Sequence, residues 1–283
     1  AAIRNCSTVF DSSVTLSTVN QWPLSFFNPS TGLPLPTPPT SSIAPGAAWN
    51  VGISVDVPAS ATWGQMDNIQ LTATSSFSGI FANQPLTARV PQCVLVVDDD
   101  MSAPDVDASY VTALTANNIY PDYWSILAGG RPSDNLLAAH SSVVWFTGSP
   151  RVATLSPLDE LSLGSYLDGG GSLFLSSADY LYDAGRTAFN REYLGMGTWL
   201  DDTSTFIVFG ALSNPVGNGL GPYPFLFPSG FSDVLTPIPL SNSSGAFFDF
   251  TQVAFNALTN FSANWRSLFL AWPFENLAPG DAV

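Results

Sequence analysis

The hydrophobic period of this chain changes once, at Cys93, and that change constrains the fold more than any other feature. Upstream, Trp49 to Val57 places an apolar residue at every odd position and a polar residue or Gly at every even one, the pattern of a strand with one buried face. Ile69 to Thr74 repeats it, Pro58-Ala59 and Gly64 punctuate between the two, and Val14 to Val19 and Leu24 to Phe27 are further candidate strands. Short strands at this spacing predict an antiparallel β-sandwich over residues 1–91. Only two strands can be assigned before Trp49, so the sandwich is expected to be incomplete, with an open edge that invites pairing with another chain. The run from Leu33 to Pro39, with Pro at 34, 36, 38 and 39, is expected to be an extended surface loop.

Downstream, Val94 to Val97 is a continuous apolar run ending in Asp98-Asp99-Asp100, followed by Val106, Tyr110 and Leu114 at helical spacing, which reads as a buried parallel strand feeding a helix. The unit recurs through Ser142 to Gly148 and Ser172 to Ser177. Between them, Ser156-Pro157-Leu158-Asp159 supplies an N-cap, a first-turn Pro and an acid, and Gly169 to Gly171 stops the helix. Thr205 to Phe209, Ala246 to Phe250 and Ser267 to Trp272 read as later strands. The expectation is an α/β plus all-β chain: the sandwich joined to a doubly wound, mainly parallel α/β sheet over residues 92–283.

Charge narrows the function classes. All seven cationic residues are Arg, and against 22 Asp and Glu they leave a net charge of -15. Such a chain cannot neutralise a phosphate backbone, which excludes nucleic acid as a partner and disfavours an anionic membrane. No apolar run reaches the roughly 18–20 residues of a spanning helix. Only 10% of residues are charged while 46% are hydrophobic, so Ser, Thr, Asn, Gly and Pro must cover the surface, a composition that points to a secreted or cell-surface protein. In that setting Cys6 and Cys93 are expected to form one disulfide, worth about 4–5 kcal/mol in the chain-entropy picture; two free thiols are the alternative. With His140 the only histidine, a Cys/His metal site is excluded.

The strongest candidate site is Asp98-Asp99-Asp100. Ligands of open α/β sheets bind at the carboxyl ends of the strands, and an oxygen-only set there suits Ca²⁺ or Mg²⁺. The alternative is that one Asp caps the next helix while the others pair or face water. Asp201-Asp202 and Asp179 with Asp183 are further acidic pairs, of the kind used for acid/base work in glycosidases. Trp22, Trp63, Trp199 and Trp265 are candidates for stacking on sugars or partners, against core packing. Asn5-Cys6-Ser7, Asn242-Ser243-Ser244 and Asn260-Phe261-Ser262 are glycosylation sequons.

Two resemblances follow from these residues. Residues 43–90, through Ile43-Ala44-Pro45-Gly46, Val57-Pro58-Ala59 and Thr72-Ala73-Thr74-Ser75-Ser76, resemble the last strands of immunoglobulin-like sandwiches on bacterial secreted and surface proteins. Residues 93–277, through Val94 to Asp100, Val143 to Gly148, Tyr166 to Ser177 and Ala271 to Glu275, resemble the class I glutamine amidotransferase-like (flavodoxin-like) superfamily. The resemblance implies a nucleophilic Cys in the turn after a central strand and a His downstream as its base. Here Leu175-Ser176-Ser177-Ala178-Asp179 has Ser in that turn and no His follows it, so no catalytic residue is carried over, and Ser177 reads as a small polar cap. The function expected is therefore a non-catalytic extracellular structural or adhesive component, a cell-surface or filament subunit that self-associates or binds other surface subunits by strand pairing. The alternative is a secreted hydrolase, or an accessory domain of a peptidase or glycosidase, using the acids at the strand ends.

Overall fold

The computed structural model describes residues 1–62, 64–90, 92–278 and 280–281, and the chain divides into two units, Ala1–Pro91 and Gln92–Val283. In the first unit the strands are β1 (Ala2–Arg4), β2 (Asp11–Val19), β3 (Leu24–Phe27), β4 (Thr40–Ile43), β5 (Ala48–Asn50), β6 (Gly52–Val55), β7 (Met66–Ser75) and β8 (Phe81–Arg89). They form one antiparallel sheet in the order β4-β2-β7-β8 and two ribbons, β1-β5 and β3-β6, around Leu16, Phe26, Val51 and Leu71. The alternating run from Trp49 to Val57 is not one strand. Val51 sits 1% exposed at a break, where its N–H and carbonyl both bond to Ala1, at 2.8 and 2.7 Å; β5 before it pairs with β1 and β6 after it pairs with β3. The expected immunoglobulin-like sandwich is thereby corrected: short ribbons stand where a second continuous sheet would have to be. A fully buried carboxylate, Asp67, helps hold them, accepting N–H bonds from Gln21 at 3.0 and 2.9 Å and from Trp22 at 2.7 Å.

The second unit continues with β9 (Val94–Asp98), α1 (Asp107–Ala116), β10 (Asp122–Ser125), α2 (Ile126–Gly129), α3 (Asp134–Ala138), β11 (Ser142–Phe146), α4 (Pro157–Asp168), β12 (Ser172–Ser176), α5 (Tyr180–Ala184) and α6 (Ala188–Glu192). It ends with β13 (Met196–Gly210), β14 (Tyr223–Pro237), β15 (Ser243–Phe248), β16 (Phe255–Phe261) and β17 (Arg266–Leu270). One nine-stranded sheet runs β10-β9-β11-β12-β17-β16-β14-β13-β15. Its first five strands are mutually parallel and the rest are antiparallel, with β15 also pairing with β16, so that β16, β14, β13 and β15 close on themselves like a small barrel.

The doubly wound α/β expectation is corrected by this sheet, and the glutamine amidotransferase-like fold with it. Strand accounts for 41% of the chain and helix for 16%. Among the described residues, no helix lies between Met196 and Phe261, so the antiparallel half of the sheet has no covering helical layer from its own connections. The helices that do form have local causes. For α4, Ser156 accepts from the Asp159 N–H at 3.3 Å, Asp159 accepts from the Ser156 N–H at 2.9 Å, and Pro157 opens the first turn. Arg131 pairs with Asp159 at 2.5 Å and fixes the entry to that helix. No described helix is long and apolar enough to cross a membrane. The core gathers Leu95, Val97, Trp145, Leu163, Leu175 and Phe269 on one side of the parallel strands, with Tyr110 stacked on Phe146 at 4.1 Å on the other.

Candidate functional site

Four parallel strands, β9, β11, β12 and β17, end at the same margin of the sheet, which brings Asp98 to Asp100, Thr147, Ser177 and Trp272 to one edge. The three expected metal ligands are buried there at 4, 5 and 0% exposure, and strand alternation sends each to a different partner. Asp98 accepts from the Tyr123 hydroxyl at 2.5 Å, and Asp99 from the Trp145 indole at 3.1 Å. Asp100 accepts from the N–H groups of Ser102 and Val106, at 2.6 and 2.7 Å. Among the described residues no group of three or more His, Cys, Asp or Glu is placed to hold a metal ion. Burial drives the Asp99 carboxyl up to about 8, opposed by the Trp145 bond. Asp100 is also raised, by burial and then by Asp98, against its two backbone bonds. The loop after β11 passes over Asp100 so closely that a Cβ on Gly148, at φ +59°, would lie 2.6 Å from the Asp100 Cβ.

Beside this group the Thr147 and Ser177 hydroxyls lie 2.6 Å apart, both buried. His140 precedes β11 at the opposite, amino end of the sheet, where its ring bonds the Leu136 carbonyl at 2.8 Å and the Asp122 carboxylate at 3.1 Å. Next to Ser177, the Ser176 hydroxyl donates to the Trp272 carbonyl and accepts from the Phe274 N–H, at 3.2 and 3.1 Å. Tyr110 donates to Glu275 at 2.7 Å. Burial raises Glu275, and its Oε1 is buried without a hydrogen-bond partner among the described residues.

A second polar cluster forms where the loops after β11 and β12 meet the hairpin of β13 and β14. Arg151 reaches Asp179 at 3.4 Å and Asp202 at 3.1 Å, with its guanidinium 4.9 Å from the Tyr182 ring centre and 4.5 Å from that of Phe231. The acidic pairs expected from sequence are split. Asp183 turns away to bind the Thr154 N–H and hydroxyl, each at 2.9 Å, and Asp201 lies against Asp233 while Asp202 takes the Arg. Burial lifts Asp179 to about 6 against the pull of Arg151. Burial and then Asp201 lift Asp233, which is fully enclosed, to about 8. Asp201 Oδ1 and Asp233 Oδ2 are both buried with no donor among the described residues. A proton held on Asp233 and directed at Asp201 satisfies both oxygens at once. Asp233 and Glu275 were absent from the sequence candidates. The available signal was an acid set in apolar surroundings, Phe231-Ser232-Asp233-Val234-Leu235 and Trp272-Pro273-Phe274-Glu275.

The remaining candidates separate by burial. Trp22 is a core residue at 3% exposure; Trp199 and Trp265 pack partly against the core; Trp63 lies outside the described residues. Cys6 is an exposed thiol of the first unit and Cys93 a half-buried thiol of the second. The Asn5 amide donates to the carbonyls of Val9 and Ile43, both at 2.9 Å. Asn260 is 7% exposed, donating to those of Glu192 and Tyr193 at 2.8 and 3.3 Å. Asn242 is exposed in the turn between β14 and β15. When the chain is secreted from a glycosylating host, a peptide mass map should therefore find a glycan on Asn242 and none on Asn260; a modified Asn260 in folded protein would contradict this packing.

No protein-family model matches the chain, and no curated protein is found similar to it. Among solved structures, a catalytic mutant of Gan42B, a GH42 beta-galactosidase from G. stearothermophilus, is 12% identical over 68% of this chain, with a TM-score of 0.48; the chain spans 28% of that protein's length. A putative ThuA-like protein from Bacteroides uniformis is 13% identical, covers 69% of this chain and 86% of its own, and has a TM-score of 0.40. Neither likeness is close enough to carry an argument about function. The immunoglobulin-like and glutamine amidotransferase-like resemblances are withdrawn on the fold itself, which is mainly β with few helices and a barrel-like sheet.

Proposed function

We propose that this chain is a non-catalytic structural or adhesive component of an extracellular surface, working by association with further copies of itself. The observation that carries this reading is an apolar groove of about 400 Å³ in the first unit, lined by Val9, Phe10, Ile43, Phe77, Ile80 and Phe81. Five of these are large side chains held in the open, Val9 51%, Phe10 53%, Phe77 66%, Ile80 70% and Phe81 64% exposed. Contiguous apolar exposure on this scale marks a protein contact. The low charge density and the absence of Lys agree with a surface that meets other protein.

The same groove borders the edge strand β8. Bonds from Ser75 N to Ile80 O and from Val90 N to Gln65 O, both 2.9 Å, set the parity of the β7–β8 ladder. Phe81, Asn83 and Pro85 therefore turn their backbone away from β7. Pro85 has no N–H to offer and interrupts this edge, leaving the Phe81–Asn83 segment beside the groove and the Thr87–Arg89 segment beyond it open to strand pairing. Light scattering across a concentration series should show reversible association, weakened roughly tenfold or more in a Phe10→Ser/Phe81→Ser variant of unchanged melting temperature. A monomer at every concentration would overturn the reading. A secreted hydrolase is the second reading, favoured by Asp179, which sits in the cluster with Arg151 and Asp202 and is lifted by burial to about 6, a range suited to a general acid. Turnover of a polysaccharide that Asp179→Asn abolishes would put it first.

A further inference from the structure

We propose that a groove on the second unit, flanked by Arg191 and Arg266, binds an acidic saccharide, a sugar ring carrying a carboxylate or sulfate. The proposal is independent of the apolar groove on the first unit and rests on the disposition of the arginines. Arg4 bonds the Gly46 carbonyl at 3.4 Å, Arg186 the Gly197 carbonyl at 2.5 Å, Arg131 pairs with Asp159, Arg151 with Asp179 and Asp202, and Arg89 is also engaged. Among the described residues, Arg191 and Arg266 have neither an ion pair nor a hydrogen-bonded partner for their guanidinium groups. In a chain where 22 acids face seven Arg, leaving two cations unpaired runs against the electrostatics, and each lines one of two neighbouring pockets.

The two pockets share lining residues. One, of about 430 Å³, is lined by Arg191, Glu192, Ser241, Asn242, Asn260 and Trp265 among others. The other, of about 190 Å³, runs through the turn from Phe261 to Arg266 and shares Phe261, Ser262 and Trp265 with the first. Trp265 is a half-buried platform between them. Its ring leans on Tyr193 at 5.3 Å and 51°. Tyr193 is itself anchored, its hydroxyl donating to Asp168 at 3.0 Å and its carbonyl accepting from Ser267 at 2.5 Å. The Ser262 N–H bonds the Trp265 carbonyl at 2.8 Å and closes the turn that presents the ring. An anchored indole next to hydroxyl and carboxamide side chains is the equipment for a sugar face and its hydroxyls. Two guanidinium groups add a preference for an acid on that sugar. Glu192, next to Arg191 in the chain, lines the same pocket and offers an acceptor for ligand hydroxyls there, while the pocket that holds Arg266 has no acid in its lining.

An acidic peptide would use the arginines but has no ring for Trp265 to stack on. The test is calorimetric titration at low salt, on protein made without glycosylation so that Asn242 is bare. The probes are tetragalacturonate, a sulfated tetrasaccharide, neutral maltotetraose and tetraglutamate. At least one of the two acidic sugars should bind, with maltotetraose and tetraglutamate each about tenfold weaker or worse. The Arg191→Gln/Arg266→Gln variant, altered only at exposed side chains, should lose roughly tenfold or more in affinity at an unchanged melting temperature. Trp265→Ala should lose binding of all sugars. No heat from either acidic sugar, equal binding of the neutral one, equal or tighter binding of tetraglutamate, or an affinity untouched by the double Arg variant would each overturn the proposal.

Discussion

The melting temperature of this protein should fall by on the order of 10 °C between pH 5 and pH 8, the reverse of a protein stabilised by its carboxylates. Asp99 and Asp233 are raised to about 8 and Asp179 to about 6, with burial the first cause in each case. Asp100 and Glu275 are raised in the same direction. Because these folded-state values lie above those of the unfolded chain, the native state holds more protons through this window. Stability is therefore fully present below about pH 4, where both states are protonated, and drains as pH climbs through 6 and 8. A loss of about 3–4 kcal/mol is modest for two enclosed acids, and at roughly 2–4 °C per kcal/mol it gives the expected shift. Asp233→Asn isolates the cause. An amide with its oxygen toward the Asp202 N–H, which Asp233 Oδ1 accepts at 3.3 Å, can donate to Asp201 as the protonated acid does. The variant should melt higher than the parent at pH 8 and alongside it at pH 5. Calorimetric scans showing a flat profile, or one rising with pH, would remove the proton-holding role assigned to this cluster.

Gly217→Ala should cost about 4 kcal/mol or more. A Cβ at that position would lie 2.0 Å from the Ala246 carbonyl oxygen and 2.7 Å from the Ala211 N, both backbone atoms that no rotamer change can move. The reason for the close approach lies in how the loop after β13 is tied down. Ala211 N bonds the Ala246 carbonyl at 2.9 Å and Gly210 N the Leu220 carbonyl at 3.1 Å. The Asn214 side chain donates to Ser244 and Thr259 at 2.9 and 2.6 Å while accepting from the Val216 and Gly217 N–H groups at 2.8 and 3.1 Å. Gly230, in β14, has nothing within 4 Å of the same added atom. Gly230→Ala should therefore change stability by less than about 1 kcal/mol, and urea melts of the two variants side by side make the comparison. Equal losses would mean that general glycine flexibility, rather than this contact, sets the effect.

Those two glycines lie in the part of the chain that was hardest to read. β9, β11 and β12 announce themselves because a strand buried on both faces is a continuous apolar run, and α4 because Ser156, Pro157 and Asp159 form its first turn in plain view. β13 and β14 are each 15 residues long, yet only the Thr205 to Phe209 portion of β13 stands out from sequence and β14 does not. Their ladder shifts register repeatedly between Met196 and Ile207, each shift breaking the two-residue period, and Pro224, Pro228 and Pro237 fall within β14. Extending the apolar-run logic to the whole second unit is what produced the doubly wound expectation. At the site, the position of Asp98 to Asp100 at a strand end was legible, but their separate partners were not, because Tyr123, Trp145 and Val106 come from three other segments. The Asp201–Asp233 pair joins two strands through a bulged hairpin, so neither acid's local sequence carries the other.

The return of β15 onto β16 gives the large sheet two unlike ends. At one, four strands consume one another's hydrogen bonds in a closed circuit; at the other stands β10, four residues long. A ladder blunt at one end and open at the other is a vector, not a tile. Two copies meeting edge to edge through it would exhaust both open ends and stop at a pair, so any filament built from this chain has to grow through some other surface.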